Sequence, residues 1–212
     1  MEMHAYDRDY LENAQKNLGN MMDYAVNTCE MDGDDFFGMF IVSGAAGEFG
    51  RGNPVFVVGM TGCELTKYAA EKAGLDFTEF PDELYLDKSP EYWCGWALAY
   101  YQWLRAKSFE RIINAVSIQN LLRMYTTLHE TDIQKFVEVM DEKINSFYTD
   151  TNLKRIRTHA GYSQSELAKE AGVSLRQIQL LEQRQRDINK AQAGSVMRLA
   201  RALGCEIEDL LE

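Results

Sequence analysis

The sequence predicts an all-α protein of two helical domains in series, an acidic one over residues 1–148 and a five-helix one over residues 152–212. Three observations predict it. Apolar residues recur at three- and four-residue spacing along most of the chain, residues that start helices precede these stripes, and the charge balance reverses near residue 150. With 212 residues, 46% hydrophobic and 26% charged, the chain has the composition of a globular protein and length enough for a core without staples.

In chain order, Leu11, Ala14, Leu18, Met21 and Ala25 form the first apolar stripe. Asp32-Gly-Asp34-Asp35 opens as a calcium loop does, but Phe36 and Phe37 stand where oxygen ligands and a glycine are needed, so it reads as a helix cap. Residues 53–59 read as a short strand or a plain turn between glycines. Those glycines spell neither a dinucleotide fingerprint nor a phosphate loop. Thr61 and Glu64 have capping-box spacing, as do Thr131 and Gln134, and Ser89-Pro90 places a cap before a proline at the first helical position. After it, Trp93, Trp96, Tyr100 and Trp103 share one helix face. Such a stripe is either core or a partner surface, since aromatic rings bury large area and are enriched at interfaces. Two further stripes run from Ile118 to Leu128 and from Ile133 to Phe147.

No cofactor or metal is expected. The four cysteines are widely separated, and His129-Glu130 lacks a second histidine four positions on. No apolar stretch approaches the roughly 20 residues that span a bilayer, and the N-terminus lacks the basic and apolar blocks of a signal peptide. The expectation is a non-enzymatic protein of a reducing cytoplasm, without a membrane.

Net charge is −11, yet residues 153–201 carry ten basic and four acidic side chains while residues 1–150 carry twelve and twenty-five. The polar run from Thr149 to Asn152 separates the two regimes. Beyond it, helix signals cover residues 153–159, 163–170, 174–183, 192–203 and 207–211. Ser163 and Glu166, and Ser174 and Gln177, have capping-box spacing, and Ala171-Gly-Val173 is a tight turn between two short helices. Two capped helices joined this way are a helix-turn-helix, whose second helix lies in the DNA major groove. With Leu167, Ala168, Val173, Ile178 and Leu181 facing the core, Leu175, Arg176, Gln179 and Leu180 are left as an outward stripe. Arg176 suits a guanine edge, Gln179 an adenine, and either leucine a thymine methyl.

Leu153-Lys-Arg-Ile-Arg157, Ser163-Gln-Ser-Glu-Leu-Ala168, Ala171-Gly-Val-Ser174, Ile178, Leu181-Glu182 and Leu199-Ala-Arg-Ala-Leu-Gly204 together resemble the XRE family, the Cro and phage-repressor type. The resemblance covers the last 60 residues or so and implies a lambda-repressor-like domain. It also implies that Gln164 touches the phosphate backbone or supports a base contact, and that Arg157 and Glu182 form a buried structural ion pair. Ser163 and Ser174, at the two helix starts, are expected to join Gln164 at the backbone. The sequence departs from the family at Arg184, where a glycine is usual, and in a longer loop after it. Arg184, Arg186 and Lys190 are expected to clamp phosphates there, the alternative being that they cap helix carbonyls.

The function expected from this division is a sequence-specific transcriptional regulator, an antitoxin-type repressor that binds a cognate toxin through its acidic domain and autoregulates its operon. The alternative is a ligand-responsive transcription factor with a metabolite-binding acidic domain. A homodimer on an inverted-repeat operator follows from half-site spacing, its interface lying either in the N-terminal helices, where the Leu11–Ala25 stripe is a seam or simply core, or in the C-terminal domain.

Overall fold

A computed structural model describes residues 4–82, 87–148 and 150–212, and every regular element among them is helical. The chain divides into two compact units, Met1–Phe147 and Tyr148–Glu212.

The first unit holds α1 (Leu11–Asp23), α2 (Gly33–Val42), α3 (Ala45–Gly50), α4 (Gly62–Lys72), α5 (Pro90–Arg105), α6 (Phe109–Ala115), α7 (Ile118–Leu128) and α8 (Ile133–Phe147). The start signals act locally as their chemistry dictates. Thr61 and Glu64 close a reciprocal capping box, and Ser89 accepts the Tyr92 N–H ahead of Pro90. Asp32 accepts the N–H groups of Asp34 and Asp35 at 2.9 and 3.1 Å, so it caps α2. Asp34 in turn reaches the start of α7, accepting from Ile118 at 2.5 Å and Gln119 at 3.2 Å, a carboxylate at the positive end of that helix dipole.

α1 lies at the centre of this unit and packs mainly on α5 and α4. Ala14, Leu18, Met21, Met22 and Ala25 are fully buried. The Leu11–Ala25 stripe is therefore core, and an exposed dimer seam along it is ruled out. A second knot of apolar side chains joins Phe37, Phe40, Phe49 and Phe109 edge to face, with centroids 5.5–6.2 Å apart. Cys29 and Cys63 sit in a satellite cluster with Tyr24. Burial pushes both thiols up to about 11, which keeps them protonated and unreactive near neutral pH.

Two local expectations are corrected. Residues Val55–Gly59 form a π-helical turn, not a strand. The Asn17 amide donates to the carbonyls of Val57 and Met60 at 3.0 and 2.8 Å, so α1 supplies partners that a sheet would otherwise have provided. The start of α8 is capped by Asp132, which accepts the Gln134 N–H at 2.8 Å, while the Thr131 hydroxyl donates back to Leu128.

Ala106 ends α5 at φ 49°, in the left-handed region that disfavours a side chain, and it is exposed. Relief of that strain outweighs the extra entropy of a glycine in the unfolded chain. Ala106→Gly is thus expected to stabilise the first unit by about 0.5–1 kcal/mol, read as a higher urea midpoint at unchanged slope.

The second unit holds α9 (Asn152–His159), α10 (Gln164–Ala171), α11 (Leu175–Glu182), α12 (Ala193–Leu203) and α13 (Ile207–Leu210). One core unites all five, with Leu153, Leu167, Ile178, Leu181, Leu199 and Leu210 at 3% exposure or less.

Candidate nucleic-acid interface

α10 and α11 are held at their crossing by small and branched side chains. Leu167 and Ile178 are fully buried, Ala168 is nearly so, and Val173 packs partly covered against the same core. Between the helices, Gly172 adopts φ 61° and caps α10, a conformation a side chain would strain. Ser163 forms a full capping box with Glu166, and Ser174 accepts the Gln177 N–H at 3.1 Å. In both caps the serine oxygen is an acceptor, so each hydroxyl hydrogen remains available to a phosphate oxygen.

Packing of Ile178 and Leu181 inward leaves the opposite face of α11 to solvent. Leu175, 38% exposed, and Arg176 are open, whereas Gln179 and Leu180 are half-covered. This is the stripe expected to meet base edges, and no ion pair ties Arg176 among the described residues. Gln183, exposed at the end of α11, continues the polar surface and was not among the residues expected to meet DNA.

Beneath this face lies a buried polar triad. Arg157 donates to Glu182 through Nε at 2.6 Å and Nη2 at 3.0 Å, and the two side chains are 9% and 2% exposed. The hydrogen bond to Glu182 holds the guanidinium above its ordinary pKa. Gln164 adds a third donor, its Nε2 reaching Glu182 Oε2 at 2.7 Å. That bond uses one of the two amide hydrogens. The bond was not legible in the sequence, where Gln164 and Glu182 are eighteen positions apart.

The cations after α11 divide. Arg186 is exposed with no ion pair among the described residues, and Lys190 keeps only a loose contact with Asp187 at 3.8 Å. Arg184, also expected to clamp a phosphate, is different. It stands at φ 55°, where the family has glycine, and its Nη2 is 3.2 Å from Glu212 Oε2. Glu212 also accepts the Asn152 N–H at 2.7 Å, and its backbone exchanges hydrogen bonds with the Asn189 side chain. Arg184 belongs to this clasp, which ties α9 and the loop to the residues after α13.

In the first unit the aromatic stripe is split by its surroundings. Trp103 is only 5% exposed. Its indole donates to the Tyr6 carbonyl at 2.9 Å and His4 stacks on it at 3.9 Å, so Trp103 is removed from any partner surface. Tyr100 accepts a hydrogen bond from Gln134 at 2.8 Å. Trp93 and Trp96 are half-buried and border one pocket. No helix among the described residues is long and apolar enough to cross a membrane.

Fold, turn and outward stripe define a helix-turn-helix. Residues 153–210 match the family model described as Helix-turn-helix, and this part of the chain is a helix-turn-helix of the XRE type. That match suggests a DNA-binding transcriptional regulator. No curated protein and no solved structure matches the chain significantly.

Proposed function

We propose that the chain is an antitoxin-type repressor, which reads its own operator through residues 152–212 as a homodimer and binds a protein partner through the acidic unit. The observation that carries the DNA reading is the open face of α11, where Arg176 and Leu175 stand free beside Gln179 and Leu180. Base readout falls to these four. Ser163, Gln164, Ser174, Arg186 and Lys190 supply backbone contacts, whose donors suit phosphate oxygens. The antitoxin role is supported by the division of labour. A reader with ten basic and four acidic groups over residues 153–201 is joined to a helical unit whose balance is strongly acidic, as suits a basic protein partner.

Fluorescence anisotropy on operator and random duplexes tests this. Arg176→Ala is expected to cost about 1–3 kcal/mol on the operator alone and to relax one base position. Arg186→Ala is expected to weaken all duplexes alike and lower the salt slope by about one unit. Equal losses on both duplexes for Arg176→Ala would remove it from base readout. A monomeric full-length chain holding one half-site at full affinity would sink the homodimer.

A further inference from the structure

We infer that the aromatic pocket between α5 and α7 receives a cationic side chain of a basic protein partner, an arginine stacked on Trp96. The inference rests on the partner-binding reading above and gives it a place and a chemistry.

The pocket encloses about 350 Å³ and is bounded by Tyr92, Trp93, Trp96, Tyr125, His129 and Lys88, enough for one long side chain. Most of its rings are engaged with one another. Trp93 meets Tyr125 and Phe136 edge to face at 5.7 and 5.4 Å, and Tyr125 stacks on His129 at 4.3 Å. These contacts fix the walls. Trp96 lines the pocket half-buried and enters no ring pair among the described residues.

The pocket already holds a cation at its edge. Lys88 Nζ stands 4.0 Å above the Tyr92 ring, within the range of a cation–π contact. The acidic balance of residues 1–150, twelve basic side chains against twenty-five acidic, favours another. Asp87, Glu91, Glu130 and Asp132 adjoin the lining residues in the chain, and Glu130 lies 3.6 Å from His129. A guanidinium suits such a site better than an ammonium, because it is planar, stacks on aromatic faces and is more weakly hydrated. Tryptophan and arginine are also the side chains that most often dominate interface energy.

The test uses the full chain labelled with ¹⁵N, titrated with short peptides that differ in one central residue: arginine, its neutral isostere citrulline, or glutamate. The arginine peptide is expected to move the Trp96 indole N–H resonance saturably and the citrulline and glutamate peptides to leave it in place. Trp96→Leu should weaken the arginine peptide about tenfold. Lys88→Ala, at an exposed position, should tighten it severalfold by removing the resident cation. No saturable shift, equal binding of citrulline, or glutamate binding that Lys88→Ala abolishes would each overturn the assignment, the last two marking a neutral and an anionic ligand. Failure here is separable from failure of the wider reading. A partner that co-purifies with wild type and equally with Trp96→Leu overturns the pocket and leaves partner binding standing. Absence of any co-purifying protein, with the peptide still bound, overturns partner binding instead.

Discussion

Glu182→Ala is expected to destabilise the C-terminal unit by about 3–5 kcal/mol, enough to leave much of it unfolded at physiological temperature. Truncation removes the acceptor for three donors at once and leaves the buried Arg157 guanidinium its bond to the Tyr162 carbonyl, at 2.6 Å. The cost comes from an uncompensated charge out of water rather than from the worth of the pair itself. Replacing both partners by apolar residues, Arg157→Met with Glu182→Leu, is thus expected to recover most of the stability. Arg157 is shifted upward from an already high value, so its contribution is fully present below the unfolded guanidinium pKa and is lost only as pH rises through the folded one. The destabilisation owed to this cation should then be constant between about pH 6 and 9. Amide exchange of α10 and α12 in the full chain reads the local effect. The double variant also separates scaffold from readout: with Gln164 unanchored, it should fold and yet bind operator more weakly. Unchanged exchange in Glu182→Ala would show that the pair carries no stability.

How much of this was legible in the sequence depended on how local the determining physics is. The helix-turn-helix could be read because its signals lie within a few residues of what they control: Ser163 with Glu166, Ser174 with Gln177, and Gly172 between the helices it separates. The outward stripe followed from period alone. In the first unit the same periodicity located the helices but not what covers them. The Leu11–Ala25 series has the spacing of a seam, and only the approach of α4 and α5 makes it core. Trp103 shares a face with Trp96, yet one is sealed by His4 and Tyr6, some hundred residues earlier, and the other is not. Val55–Gly59 has the valines of a strand, while its conformation depends on Asn17 reaching its carbonyls. Arg184 looked like a free cation because the residue that holds it, Glu212, is twenty-eight positions away.

Gly95→Ala is expected to cost the N-terminal unit about 3 kcal/mol or more, although alanine is the better helix former. A Cβ built at Gly95 would stand 2.3 Å from the Leu18 carbonyl oxygen and 2.7 Å from its carbon. Both are backbone atoms of α1, so no rotamer change can relieve the clash. α1 and α5 would have to move apart across the most extensive helix contact of the unit, opening space around Leu18 and Met22 that no neighbour can refill. Gly62 makes the same demand on the other side of α1, where a Cβ would meet the Met21 nitrogen at 2.5 Å. The two glycines let α4 and α5 approach α1 closely enough to bury it. Gly38 in α2 is the control, because a Cβ there meets nothing within 4 Å. Gly38→Ala should therefore show only the intrinsic helix preference and stabilise by about 0.5–1 kcal/mol. Opposite signs for the two substitutions in urea denaturation of the full chain are the expected result. A neutral or stabilising Gly95→Ala would mean that α1 and α5 do not pack through their backbones.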